Sequence, residues 1–338
     1  MNQSIQQNPK VSVGIPSYNH SRYIERTLES IFAQTYRNIQ LIVVDDGSTD
    51  NSPAIIEKIL KNSPFDCELI ARQNKGQGVT ANECIERTSS EFHAPVASDD
   101  MWFPDFLERR VNLFLKRPNA VLAYGHCFLV DENDKIIGCS TDWETYGDKD
   151  TRKTLLKMYG PQSPTVVYRR STLETQMFHP DNFVDDIDLY MRLSVLGEFA
   201  FDSSINSVYR IHTTNMSTKI DALLDGQVTT FQRNREILGL SPEEMAEIET
   251  RIRWNGANLF LTRRRRFEAI KMSLKNFHAK VPARAKIRQV VKLMLPYFAL
   301  EATGNRIRRS SDEWKGLDAK DLMAEQAKSG KIYQASQK

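Results

Sequence analysis

The sequence predicts an α/β fold, a sheet flanked by helices, followed by a helical C-terminal extension. Three observations carry this. The run Leu41-Ile42-Val43-Val44, rich in β-branched residues, reads as a strand buried on both faces of a parallel sheet. Apolar runs with strand character alternate with helix-period segments from Val11 to Ala97. Beyond about Thr218 the composition turns to helical patterns alone.

The elements follow in order. Val11 to Ile15 is a first strand, stopped by Pro16. Ser21 is placed to cap a helix whose apolar face is Ile24, Leu28, Ile31 and Phe32. The Ile39–Val44 strand runs into Asp45-Asp46-Gly47-Ser48-Thr49-Asp50. Ser52-Pro53 then reads as an N-cap and a first-turn proline, opening a helix through Ile55, Ile56, Ile59 and Leu60. Cys67 to Ala71 is a third strand. The loop Lys75-Gly76-Gln77-Gly78 leads to a helix through Asn82, Ile85 and Glu86, and Phe92 to Ala97 is a fourth strand. This series is a half-fold of the nucleotide-binding type. A helix with Leu107, Val111, Phe114 and Leu115 follows Pro104. Val121–Val130 and Lys135–Cys139 form a hairpin around Asp131–Asp134. Thr141 to Asp150, with Trp143 and Tyr146, reads as a loop, and Lys149–Tyr159 as a helix. Val166 to Tyr168 is a strand, Asp185 opens a helix ending near Gly197, and Tyr209-Arg210-Ile211-His212 ends a last strand. The extension holds helices at Ile220–Leu238, Pro242–Leu261, Arg264–Phe277 and Ala283–Phe298.

The expected organisation is a flexible N-terminus over 1–8, an α/β domain over 9–218, a basic helical region over 219–309, and a polar, loosely held tail over 310–338. With 338 residues, 40% of them apolar, the chain can build a substantial core. The four cysteines show no metal-ligand spacing and read as buried thiols in a reducing compartment. Met1 to Pro9 lacks a signal-peptide core, and no run of about 18 apolar residues exists to span a membrane. The expectation is a cytoplasmic protein. Net charge is only +3, yet residues 251–309 carry 16 Lys/Arg against two acids, a net +14. The asymmetry suggests that this part meets an anionic surface.

Two acids at the end of a central strand repel one another, so stability alone does not select them. The carboxyl edge of an open α/β sheet is where ligands bind. A dinucleotide fingerprint is excluded, because Pro16-Ser17-Tyr18-Asn19 stands where G-x-G-x-x-G should follow the first strand. A nucleotidyltransferase would want a glycine- and arginine-rich loop at the same place.

Three stretches, in this order and spacing, carry a specific resemblance: Val11-Ser12-Val13-Gly14-Ile15-Pro16-Ser17-Tyr18-Asn19-His20, Val43-Val44-Asp45-Asp46-Gly47-Ser48, and Val96-Ala97-Ser98-Asp99-Asp100-Met101-Trp102. The chain resembles the family 2 glycosyltransferases over roughly its first two thirds. The resemblance implies a GT-A fold, a Rossmann-like mixed sheet flanked by helices. It also implies an inverting transfer from a nucleotide-diphosphate sugar, UDP-sugar favoured, to a glycan or lipid-linked hydroxyl in cell-surface polysaccharide synthesis. Pro16, Tyr18, Asp45, Asp46, Lys75, Ser98 and Asp99 then fall at the nucleotide. Tyr18 can stack on the base and either Asp45 or Asp46 can accept its ring N–H. Lys75 or Arg72 can add positive charge. Ser98-Asp99-Asp100 corresponds to the D-x-D metal motif, with Ala97 where the first acid should stand. Asp99, Asp100 and His212 are the candidate ligands of Mn2+ or Mg2+. Asp185-Asp186 matches the family's Glu-Asp pair, which makes Asp186 the base and Asp185 its support, with helix capping as the competing reading. Asp188 reads as first-turn charge. The departure at Ala97 leaves a catalytically silent nucleotide-sugar-binding protein as the alternative.

In the extension, Ala283–Phe298 is an amphipathic basic helix. It fits either an anionic membrane surface, with peripheral attachment to the inner face of the cytoplasmic membrane, or packing on the catalytic domain. No recognition motif or interleaved aromatic run points to nucleic acid. Self-association is left open.

Overall fold

The computed structural model describes residues 8–142, 151–157, 160–182, 184–213, 215, 219–300 and 310–334. They form two compact units, the first of Met1–Asp181, Leu189–His212 and Ser310–Lys338, the second of Asn182–Asp188 and Thr213–Arg309.

The first unit is built on a nine-stranded mixed sheet. Its parallel half comprises β1 (Val11–Ser17), β2 (Ile39–Asp45), β3 (Asp66–Ala71) and β4 (Phe92–Pro95), in the order β3-β2-β1-β4. The sheet continues through β8 (Val167–Arg169), β6 (Ala120–Val130), β9 (Glu198–Arg210) and β5 (Met101–Trp102), with β7 (Ile136–Cys139) paired to β6. Helices α1 (Ile24–Phe32), α2 (Ser52–Leu60) and α3 (Gln77–Glu86) link the parallel strands. α4 (Phe106–Lys116) follows β5, and the short α5 (Thr151–Leu155) and α6 (Arg170–Leu173) flank β8.

Register decides where the chemistry sits. Ser17 pairs with Asp45 across β1 and β2, and Gly14 with Pro95 across β1 and β4. β8 is antiparallel to β4 and to β6, and β9 is parallel to β6. The last residues of β1, β2, β4 and β9 therefore emerge at one edge of the sheet. Val13, Ile15, Leu41 and Val43 are fully buried below that edge, packed with Leu28 of α1 and Phe106 of α4. That core anchors the strands whose ends carry the polar residues.

Several expectations are corrected locally. Ser21 does not cap α1, whose N-cap is Tyr23; the Ser21 N–H donates instead to Asp50 Oδ2 (2.9 Å). The N-cap of α2 is Asn51, with Ser52 already helical. Trp102 belongs to β5, pairing with Ser207, and its Nε1 donates to the Pro164 carbonyl (2.8 Å). Residues 143–150, with Trp143 and Tyr146, lie outside the described residues, as do residues 1–7 of the expected N-terminal arm.

The segment expected to be a loose tail is instead part of the first unit. It forms α12 (Ala319–Ser329) and buries Trp314, Leu322 and Tyr333 against Phe103, Phe128 and Ile205. The Ile205 N–H donates to the Tyr333 carbonyl (2.8 Å). Three apolar side chains scattered through a polar stretch are too sparse to show helical or strand periodicity, so only the surface they cover reveals them.

The second unit is helical: α8 (Ile220–Arg233), α9 (Pro242–Thr262), α10 (Arg266–Lys275) and α11 (Ala283–Met294). α9 starts with a capping box in which Ser241 and Glu244 bond reciprocally (3.2 and 2.9 Å). Gly256 of α9 lets Leu224 of α8 approach so closely that a Cβ would lie 2.6 Å from its Cδ1. α7 (Asp185–Leu193) begins in the second unit and ends in the first.

Candidate active site

The loops after β1 and β2 are tied into one surface. Asp46 N–H donates to the Ser17 carbonyl (2.8 Å), and Asn19 N–H to Ser48 Oγ (2.8 Å). Asn19 Oδ1 accepts from Thr49 N–H (2.8 Å), an arrangement reached with Asn19 in a left-handed conformation (φ 54°). Tyr18 stands on this rim, nearly half exposed.

The two acids after β2 differ. Asp45 turns its carboxylate onto its own loop, accepting from Ser48 N–H (2.9 Å) and Ser48 Oγ (2.7 Å). Asp46 reaches across to the loop after β3. It accepts from the guanidinium of Arg72, from Lys75 N–H (2.8 Å) and from Gly76 N–H (3.0 Å). Arg72 is itself held by Glu83 Oε2 (2.7 Å) on α3. The Lys75 side chain is exposed, so within the protein it is the backbone of Lys75 that meets Asp46. Gly47 (φ 74°) lies so near this loop that a Cβ would sit 2.7 Å from Asn74 N.

The turn after β4 carries Ser98, Asp99 and Asp100 to the same edge. Thr27 Oγ1 lies 3.0 Å from the Ser98 carbonyl and 2.8 Å from that of Asp100. Fully buried Arg210, at the end of β9, donates from Nε to the Asp99 carbonyl (2.9 Å) and from its backbone N–H to Asp100 Oδ1 (2.9 Å). With the turn so fixed, Asp99 Oδ2 lies 2.8 Å from His212 Nε2, and Asp99 Oδ1 lies 3.8 Å from His20 Nδ1. His20 Nδ1 is also 2.7 Å from Ser98 Oγ. Tyr23 stacks on His212, ring centroids 5.2 Å apart.

His20, Asp99 and His212 thus offer donor atoms within 4.8 Å of one another. Burial, opposed by the charge of Asp99, holds His20 below its ordinary value, which favours the neutral imidazole that metal ligation requires. One carboxylate and two imidazoles would suit a divalent ion, and imidazole nitrogen favours manganese over magnesium. Asp100 stands apart from this group. Its buried Oδ2 has no hydrogen-bond partner among the described residues, and burial, then the charge of Asp99, pushes its carboxyl well above the ordinary range. It braces Arg210, while Asp99 faces the histidines.

Sequence reasoning placed Asp45, Asp46, Ser98, Asp99 and His212 at one edge, and the structure brings them there. It missed His20 as a partner of Asp99 and Arg210 as the brace. Both lie inside motifs already quoted, but nothing in spacing says that the ends of β1 and β9 face each other.

Asp185 and Asp186 belong to the second unit and open α7. Asp186 Oδ1 accepts from the Ile187 N–H (2.7 Å). Burial, with the neighbouring charge of Asp186, pushes Asp185 up to about 7, and burial raises Asp186 as well. Asp188, expected as first-turn charge, does lie in the first turn of α7 and is fully buried there, accepting from Asn234 Nδ2 (2.9 Å) on α8.

Comparison with known proteins bears on the family and the fold. The family model described as Glycosyl transferase family 2 matches residues 12–176. The UDP-Glc:alpha-D-GlcNAc-diphosphoundecaprenol beta-1,3-glucosyltransferase WfgD of Escherichia coli is 32% identical over 214 residues, covering 62% of this chain and 79% of that protein. The aligned part spans 66%, 37% and 30% of three other relatives, the last being the chondroitin synthase of Escherichia coli. S. aureus TarS 1–349, solved in complex with UDP-GlcNAc, superposes with a TM-score of 0.57 at 20% identity, covering 84% of this chain and 79% of that one. The mannosyltransferase PcManGT from Pyrobaculum calidifontis, solved with GDP-Man and Mn2+, gives 0.57 at 17% identity, covering 96% and 88%. The fold is GT-A, with a helical C-terminal region.

Proposed function

The chain belongs to glycosyltransferase family 2, and from that premise we propose that it transfers a sugar, with inversion, from a nucleoside-diphosphate donor to a hydroxyl of a glycan or lipid-linked acceptor in cell-surface polysaccharide synthesis. A UDP-sugar is the favoured donor. The observation that carries the reading is the Asp99–His212–His20 cluster at the sheet edge that also bears Asp45 and Asp46.

Each residue has a role in this reading. Tyr18 stacks on the base, and Asp45 or Asp46 accepts its ring N–H. Asp46 also fixes the Arg72 guanidinium, a cation suited to an anionic donor. Pro16 and Ser98 shape the floor beside the diphosphate. Asp99 and His212, joined by His20, would hold Mn2+ or Mg2+, with Asp100 fixing the turn from behind. Such an ion, when bound, neutralises charge on the departing diphosphate. Asp186 takes the proton of the attacking hydroxyl and Asp185 supports it. Residues 9–218 supply this chemistry and 219–309 an accessory region.

Transfer or hydrolysis of UDP-sugars, assayed over a Mn2+ titration, tests the proposal. Asp99→Ala should lower kcat/KM by roughly 10²–10³-fold. Asp186→Asn should lower kcat by roughly 10²-fold or more. His20→Ala should raise the Mn2+ needed for half-maximal rate by about 10-fold. Full activity of Asp99→Ala would overturn the metal assignment. Donor binding without any turnover would instead favour a silent nucleotide-sugar-binding protein, the reading to which Ala97 lends its weight.

A further inference from the structure

α10 and α11 carry their apolar residues on the outside. Along α10, Phe267, Ile270 and Leu274 recur at helical spacing, and Phe277 extends the stripe past its end. Phe267 is 78% exposed and Leu274 71%. On α11, Ile287, Val290, Val291 and Met294 make a second stripe, and Phe298 lies one turn beyond. Met294 is 79% exposed and Phe298 75%. A helix docked on its own core would turn such a stripe inward.

Polar bonds hold α11 the other way round. Among its described residues only Gln289 is buried. Gln289 Nε2 donates to Ser273 Oγ on α10 (3.0 Å), and its Oε1 accepts from Asn258 Nδ2 on α9 (3.0 Å). Lys292 Nζ donates to the same Asn258 side chain (3.2 Å). Hydrogen bonds need particular partners, so they fix the helix rotation where apolar packing would tolerate others. No described helix of the chain is long and apolar enough to cross a membrane. The face is built to meet an apolar phase without entering it.

Charge identifies that phase. Exposed Lys271, Lys275, Arg284 and Arg288 border the stripes, within the stretch that carries a net +14. A second copy of the chain would set like charge against like. A nucleic acid would leave the central phenylalanines and methionine in water. We propose that the α10–α11 face is an interfacial docking surface for an anionic lipid bilayer. Phe267, Leu274, Met294 and Phe298 enter the boundary between headgroups and acyl chains, and the four cations meet the headgroups. The surface stands apart from the transfer reading, since its binding is measured without donor or acceptor.

Sedimentation with vesicles tests it on the full chain. Phosphatidylcholine vesicles carrying about 30 mol% phosphatidylglycerol should bind the protein at least ~10-fold more tightly than pure phosphatidylcholine, and less tightly as salt rises. F267S/M294S and R284E/R288E should each weaken binding by ~10-fold or more, with the thermal unfolding of both variants unchanged because the sites are exposed. Equal binding to both vesicle types, or wild-type binding by either folded variant, overturns the proposal. So does a dimer in solution that F267S/M294S dissolves, which would make the face an interface between copies.

Discussion

Asp185 and Asp186 form a half-buried pair whose ionisation sets a pH dependence. Burial, reinforced by the Asp186 charge, pushes Asp185 up to about 7. Close carboxylates take up their first proton as a pair. With Asp186 as base and its carboxyl raised by burial, the acid limb of turnover should lie above the ordinary carboxylate range. Asp185→Asn removes one charge and should shift that acid limb to lower pH, which a kcat–pH profile reads directly. An unmoved limb would separate the pair from the chemistry. Stability runs the opposite way. Between the ordinary carboxylate value and about 7 the folded chain holds a proton that the unfolded chain has released, so folding weakens as pH rises through that window.

At the scale of elements, α4 is fastened to β9 by charge. Arg109 donates from Nε and Nη2 to Asp202 (2.7 and 2.9 Å), and fully buried Arg110 approaches the same carboxylate at 3.3 Å. Burial opposes ionisation of Asp202, but the hydrogen bond from Arg109 and the charge of Arg110 hold its carboxyl well below the usual range. A depressed carboxylate contributes stability that is present above the unfolded value and lost as pH falls toward the folded one. Asp202→Asn leaves Arg110 buried without its counter-charge and should cost roughly 3–5 kcal/mol at pH 7. Urea unfolding at pH 7 and near pH 3 should show the gap between variant and wild type narrowing in acid. A constant gap would mean that packing, not charge, joins the two elements.

At the scale of the molecule, the C-terminal segment closes the first unit. Trp314 packs edge-on against Phe128 with ring centroids 5.2 Å apart, and the Tyr333 hydroxyl donates to the Leu322 carbonyl (3.2 Å). Trp314→Ala should cost about 3 kcal/mol. Deleting residues 310–338 should cost more, because it exposes the apolar surface around Phe103, Phe128 and Ile205. Thermal unfolding that is indifferent to the deletion would show the segment to be dispensable.

The sequence by itself determined the alternating strands and helices, the edge at which Asp45, Asp46 and Ser98–Asp100 emerge, and the family. Those depend on local pattern: β-branched runs, helix-period spacing, and polar residues at strand ends. Tertiary structure alone decided that His20 and Arg210 meet Asp99, that Asp188 is buried, that residues 310–334 belong to the first unit, and that α11 turns its polar side inward. Each is a pairing between distant segments. Strand order and helix rotation create such pairings, and neither is written in the spacing of residues along one element.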